Sequence, residues 1–377
     1  MKFNKVIIAP DSFKGVLTAR EVNEIIAGEI SEAFPDCEIV SMPIADGGEG
    51  SIEAILSAIG GEIFEETVLS PDDRQISASY GISNSGVGIV EMAQSSGITR
   101  QIGLHPMTSN TYGFGQLILA ALDRGVREFY LCIGGSASTD GGCGMASALG
   151  VRFTNKQEKS FIPCGETLGE IVSIDISGID ERIAKSKFTV MSDVDNPLIG
   201  KTGAAYVYGP QKGANMEQVV ILDNGLRHYG TVLQTFFGKS LNDTPGAGAA
   251  GGLGAGCIVF LSAGIKSGID TILMLYDFKR HSKDADLIIT GEGKLDSQSF
   301  QGKVLTGILR EAGEVPVWSI CGVCDCDSKL LNEHDIMVFE ATKDITAQES
   351  MKEPVKYLRL AVKRAITEVL SIKAQNI

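Results

Sequence analysis

The sequence is poor in positive charge. Lys and Arg number 33 against 47 Asp and Glu in 377 residues, a formal charge of −14, which excludes a basic nucleic-acid binder on bulk electrostatics. Histidine is scarcer still. His105, His228, His281 and His334 stand far apart, so their spacing gives neither a Ser-His-Asp triad nor a histidine-based metal motif. Long apolar runs are also missing: stretches such as Gly254 to Ala263 fall short of the about 20 residues that cross a bilayer, and no membrane contact is expected. Met1 to Lys5 run straight into a strand without the look of a secretory leader. Eight cysteines then read as reduced thiols in a cytoplasm rather than a disulfide framework. Cys321-Gly322-Val323-Cys324-Asp325-Cys326 holds a lone CxxC, incomplete as a zinc site without a second pair or a nearby His. It reads as structural cysteine in a strand-to-loop corner.

What is present supports a packed, two-part α/β protein. Hydrophobic residues make up 44% and charged residues 21%, so a core is affordable and disorder is not expected. Lys5 to Ala9 reads as a buried strand, Thr18-Ala19-Arg20-Glu21 as a capping box opening a helix, and Glu38 to Met42 as a second strand. That βαβα opening predicts parallel pairing. From Glu62 the pattern turns to a meander, with runs at Glu62 to Leu69, Gln75 to Tyr80 and Val87 to Met92 separated by turn residues. The opening grammar returns near Ala285, with a strand at Asp286 to Thr290, a helix at Lys303 to Glu311, a strand at Val315 to Ile320 and a closing helix at Val355 to Leu370. The expectation is a Rossmann- or flavodoxin-like parallel domain built from 1–61 and 285–377, with 127–150 a further candidate segment. A mixed α/β domain, 62–284, would be inserted in it, with a cleft between the two.

Glycine, 45 residues and above the usual share of about 7%, is concentrated in loops that carry acids. Most occupy the turn from a strand to a helix, where anions bind. Asp11-Ser12-Phe13-Lys14-Gly15 offers a carboxylate for a metal or a hydroxyl and a lysine for phosphate or carboxylate. Asp46-Gly47-Gly48-Glu49-Gly50 and Asp140-Gly141-Gly142-Cys143-Gly144 repeat one pattern, the second behind Gly134-Gly135-Ser136. Their glycines allow backbone N–H groups to approach phosphate, and their acids need a cation alongside. Asp193 and Asp195 follow a strand at an i, i+2 spacing that would place them on one face, suited to metal binding or to taking a hydroxyl proton. Gly291-Glu292-Gly293-Lys294-Leu295-Asp296 reads as a further loop between strand and helix. Gly246 to Gly251 fits GxGxxG weakly, because Thr244-Pro245 stand where a strand should precede it. Gly200-Lys201-Thr202 and Gly238-Lys239-Ser240 lack the leading glycine of a Walker A loop.

Taken in order along the chain, these loops resemble the signature loops of the bacterial glycerate kinase family, in its D-glycerate 2-kinase-like branch, from Val6 to about Val338. The resemblance implies ATP-dependent phosphorylation of D-glycerate with Mg²⁺ in a cleft between two α/β domains, most simply on the 2-hydroxyl, with the 3-phosphate product left open. It implies Asp193, Lys14 and Asp11 as catalytic residues, with Asp193 favoured as the base. Nucleotide contacts would come from Gly47, Gly48, Gly134, Gly135, Ser136, Gly248, Gly251, Gly252, Glu292 and Lys294. Asp46, Glu49 and Asp195 would hold the metal, Asp140 and Asp296 the substrate, and a homodimer is compatible with it. The sequence departs from the family pattern in its cysteine cluster and in Lys294, where arginine is common. A non-catalytic two-lobed carboxylate binder and a nicotinamide-dependent oxidoreductase are the competing readings.

Overall fold

The structure is a computed structural model and describes residues 3–300 and 304–374. Its strands are β1 (Lys5–Ile8), β2 (Glu38–Ser41), β3 (Gly61–Leu69), β4 (Gln75–Ser83), β5 (Val87–Glu91), β6 (Glu128–Cys132), β7 (Arg152–Thr154), β8 (Ser160–Phe161) and β9 (Ser173–Asp175). The last five are β10 (Lys187–Met191), β11 (Gly264–Lys266), β12 (Leu287–Leu295), β13 (Val317–Cys324) and β14 (Ile336–Glu340). The chain divides into two compact units, one of Met1–Asp46, Glu53–Ile59 and Ile269–Ile377, the other of Gly47–Ile52 and Gly60–Gly268.

Unit one holds a parallel sheet in the order β14-β13-β12-β1-β2. All four residues of β1, Lys5-Val6-Ile7-Ile8, are buried, as expected of a strand with hydrogen-bonded neighbours on both edges and helices on both faces. The helix Ala19–Ala33 begins at the Thr18–Glu21 capping box, with Glu21 N–H donating to Thr18 Oγ1 at 3.2 Å and Thr18 N–H donating to Glu21 Oε2 at 2.8 Å. Its Val22, Ile26 and Ile30 pack with Ile8, Trp318 and the closing helix Pro354–Ala374 in one core. In order of appearance within the unit the strands run 2-1-3-4-5, so the direction of winding reverses between β1 and β12. A ligand is expected outside the carboxyl ends of the strands at that reversal.

Two strands of this sheet are longer than their apolar runs suggest. β12 continues through Gly291, Glu292, Gly293 and Lys294 to Leu295, so the glycine-and-acid segment expected as a loop is strand. The reason is a partner: β13 runs beside it to Cys324, pairing Glu292 with Cys321 and Leu295 with Cys324. Cys321 and Cys324 accordingly lie within β13 and not at a corner. The helix expected from Lys303 is described from Val304, since Lys303 lies outside the described residues.

Unit two holds a six-stranded mixed sheet, β11-β10-β6-β5-β4-β3, and a small antiparallel sheet, β8-β7-β9. β3, β4 and β5 form the meander, with Asp73 and Gly86 at positive φ in the two turns. β5 then pairs with β6 in parallel, as β6 does with β10 and β10 with β11. Phe129 and Phe188, opposite each other in the β6–β10 register, stack with ring centroids 4.8 Å apart. The carboxyl ends of β5, β6 and β10 deliver Glu91, Gly134 and Asp193 to the same edge of this sheet.

Candidate active site

In unit one, a cavity of about 410 Å³ opens at the point where the winding reverses. Asp11 and Lys14 reach it from the segment after β1, Asp46 from beyond β2, and Glu292, Lys294 and Asp296 from the end of β12. Backbone bonds from Ala9 N–H to the Ile289 carbonyl and from Asp11 N–H to the Gly291 carbonyl hold the two segments together. The chain then turns tightly at Phe13–Leu17, where Gly15 sits at φ +75°. Lys14 Nζ lies 3.1 Å from Asp46 Oδ2, and that carboxylate, more than any other group, holds the lysine above its ordinary pKa.

Asp11 is 9% exposed. Burial pushes its carboxyl up to about 7, with the Asp46 charge adding to the effect and Lys14 opposing it. Glu292 adds to the same repulsion. Lys294, at the mouth, bridges Asp296 at 3.4 Å and Asp325 at 3.0 Å. The cavity therefore gathers carboxylate oxygen around one or two ammonium groups. Such a hard-oxygen surface suits Mg²⁺, which is usually held by one or two carboxylates and completed by water and substrate phosphate. Among the described residues no group of three or more His, Cys, Asp or Glu stands at metal-holding spacing. Apart from Asp46, the acids expected at the metal are Glu49 and Asp195; both belong to unit two and are exposed, and Asp195 stands close enough to Tyr208 to raise its pKa, after burial.

In unit two the glycine loops close on one another. Gly134 N–H donates to the Gly47 carbonyl at 3.1 Å, and a Cβ on Gly134 would stand 2.7 Å from Gly48 Cα. Glu91, fully buried at the end of β5, accepts from Ile52 N–H at 2.5 Å. Asp193 Oδ1 accepts from the Ser267 hydroxyl at 2.7 Å and from Gly268 N–H at 2.9 Å. These bonds fix its orientation, and the i, i+2 rule no longer applies because β10 ends at Met191.

The two Asp-Gly-Gly-x-Gly segments are used differently. Asp46 faces Lys14, whereas Asp140 is fully buried and accepts from Thr111 N–H and Oγ1–H, Gly142 N–H and Gly144 N–H at 2.7–3.1 Å. Burial nevertheless raises its pKa. Its carboxylate shapes the loop from inside. Gly248, Gly251 and Gly252 serve close backbone packing as well: a Cβ on Gly248 would meet the Pro197 carbonyl at 2.1 Å and one on Gly251 the Ser138 carbonyl at 2.1 Å. Ala250, Gly251 and Gly252 are all left-handed, so the regular helix begins only after them.

Two residues of this region escaped the sequence reading. Glu91 closes the apolar run of β5, which is its one visible signal. Lys212, in Gly209-Pro210-Gln211-Lys212-Gly213, is 1% exposed and donates to Ser136 Oγ at 2.7 Å and to the Ser138 carbonyl at 2.5 Å. Burial depresses its pKa to about 7, with Asp140 opposing the shift. Between that value and the ordinary lysine value the unfolded chain binds the extra proton, so this group makes stability rise with pH above about 7. Lys212→Met is expected to flatten the pH dependence of urea unfolding between pH 7 and 10. An unchanged slope in the variant would show that Lys212 does not titrate there.

Compared with known proteins, the chain matches the sequence model of the glycerate kinase family over residues 6–370. It is 41% identical over 337 residues to glycerate kinase of Bacillus subtilis (strain 168), covering 88% of each chain. It is likewise 41% identical over 337 residues to glycerate 2-kinase of Escherichia coli (strain K12), again covering 88% of each. Among solved structures it is similar to a crystal structure of glycerate kinase 2 from Salmonella typhimurium LT2, with a TM-score of 0.83, 36% identity and 99% of both chains covered.

Proposed function

The chain belongs to the glycerate kinase family, and from that premise we propose that it transfers the terminal phosphate of ATP to the 2-hydroxyl of D-glycerate. A kinase acting on an alcohol group is what its relatives are, and this favours turnover over the carboxylate-binder reading. The GxGxxG at Gly246 to Gly251 has no strand before it, which removes the support for a nicotinamide enzyme. The observation that carries the proposal is the cavity of unit one, where Asp11, Lys14, Asp46 and Glu292 converge from segments nearly 300 residues apart in sequence.

Phosphoryl transfer asks the protein for positioning and charge neutralisation more than for covalent chemistry. Lys14 supplies a cation to phosphate or to the glycerate carboxylate. Asp193 takes the hydroxyl proton, its carboxylate oriented by Ser267 and Gly268. The buried Asp11, poised near neutrality, supports a second assignment of the same role. N–H groups of Gly47 and Gly135 are the proposed phosphate cradle, with the bond from Gly134 N–H to the Gly47 carbonyl joining the two loops. Asp140 and Lys212 hold its shape. Bound Mg²⁺ supplies charge neutralisation on phosphate oxygens, and Asp46, with Glu49 or Asp195, is its proposed holder.

Among the described residues no helix is long and apolar enough to cross a membrane, and we place the enzyme in the cytoplasm with its ATP. ADP release dependent on D-glycerate, ATP and Mg²⁺, with ³¹P NMR of the product, tests the reading. Turnover to the 2-phosphate is expected. A 3-phosphate would correct the regiochemistry, and binding of glycerate without ADP release would overturn the kinase.

A further inference from the structure

Only part of the unit-one cavity is polar. Asp11, Lys14, Asp46 and Glu292 sit at its β1–β2 and β12 side, but the wall continues along the carboxyl edge of the sheet to β13 and β14. There it is mostly apolar, made by Val323 of β13, Ala341 directly after β14, Met351 of the helix Ala347–Lys352 and Leu358 of the helix Pro354–Ala374, with the hydroxyl residues Thr342 and Ser350 among them. Strands lie about 4.8 Å apart, so from β1 to β14 the cavity crosses about 14 Å of sheet edge. Ala341 is 3% exposed and Leu358 1%, and both belong to the core that backs this wall, whereas Val323 is half-buried and Met351 forms its open rim.

Glycerate cannot account for such a wall. It has three carbons, each carrying oxygen, and burying it against Val323 and Met351 would strip its hydroxyls and carboxylate of water with only Thr342 and Ser350 nearby to replace it. A cavity of about 410 Å³ also falls in the range of about 300–1,000 Å³ that accommodates larger ligands. A triphosphate is unsuited to the acidic side unless its charge meets Lys14, Lys294 or a metal. A purine has flat apolar faces that gain by leaving water, and the ribose hydroxyls it carries are suited to carboxylates at a strand's end.

We propose that the Val323–Ala341–Met351–Leu358 side of the unit-one cavity seats the purine base of the nucleotide, with the ribose toward Asp296 and Glu292 and the phosphates toward Lys14. This rests on the kinase reading and assigns the orientation of its phosphoryl donor. The base lies on the β13–β14 side, so substitutions there act on nucleotide affinity and leave the glycerate requirement intact.

Calorimetric titration of the full chain with ADP, and separately with D-glycerate, tests it. Val323→Trp fills the apolar side and is expected to weaken ADP tenfold or more while glycerate affinity stays within about twofold. Met351 is 55% exposed, so Met351→Trp serves as the variant least able to disturb folding and is expected to weaken ADP in the same sense. Wild-type ADP affinity in either variant, with an unaltered thermal transition, overturns the seat, as does a selective loss of glycerate binding. A wild-type enzyme that turns over while the filled variants still bind ADP places the base elsewhere and leaves the kinase standing. A wild-type chain that neither binds ADP nor releases it removes the kinase reading, and this seat with it.

Discussion

Asp193→Asn is expected to lower kcat by about 100-fold or more, with little change in thermal stability. The expectation follows from what asparagine keeps. Its amide oxygen still accepts from Ser267 Oγ–H and Gly268 N–H, two bonds that orient the wild-type carboxylate, so the loop after β10 keeps that anchor. What is lost is the capacity to take a proton, and general base catalysis contributes on the order of 10²–10⁴-fold. A 100-fold loss corresponds to about 2.7 kcal/mol of transition-state stabilisation. Steady-state kinetics of Asp193→Asn and Asp11→Asn side by side decide between the two candidate bases. Asparagine at position 11 likewise keeps the acceptor for Ser12 N–H. A large fall in kcat for Asp11→Asn, with near-normal turnover for Asp193→Asn, would transfer the role to Asp11.

Gly251→Ala should be the more drastic change, acting on stability and turnover together. Gly251 adopts φ +69° between Ala250 at +52° and Gly252 at +90°, and an added Cβ would lie 2.1 Å from the Ser138 carbonyl and 3.0 Å from Lys212 Nζ. The first contact is with backbone, which cannot swing away as a side-chain tip can. Two effects therefore add: a non-glycine residue in the left-handed region costs about 1–3 kcal/mol, and overpacking costs about 1–3 kcal/mol more. Loss of about 2–6 kcal/mol is expected in urea unfolding, together with loss of turnover, because the displaced carbonyl is one of the acceptors that Lys212 uses. Gly15→Ala is the fitting comparison, since Gly15 is also left-handed, at +75°, but has no atom within 4 Å of its Cβ position. It should lose only the conformational part. Equal losses in the two variants would show that crowding at Gly251 contributes nothing.

Elements whose signal is local were legible in the sequence. The Thr18–Glu21 capping box is formed as written, and the strand expected at Glu62 to Leu69 is β3, Gly61–Leu69. The reversal of winding in unit one depends on where β12 inserts beside β1, a pairing of Val6 with Leu287 that no local pattern encodes. β12 shows the limit within one element: glycine and charge at 291–294 argue for a loop, and the ladder supplied by β13 overrules them.

At the site, the sequence by itself determined which chemistry is on hand, namely the acids and lysines of the glycine-rich segments, because residue type and spacing are properties of the chain. It determined the family as well, through the order of those segments. Only the tertiary structure decided how each one is used. Asp46 and Asp140 stand in the same five-residue pattern, yet one meets Lys14 at the cavity and the other is buried beneath four donors. Lys212 carried no signal at all, since a lysine in a short turn is ordinarily solvated. Its burial comes from Ser136, Ser138 and Gly251 closing over it, and desolvation is set by neighbours distant in sequence, not by the residue itself.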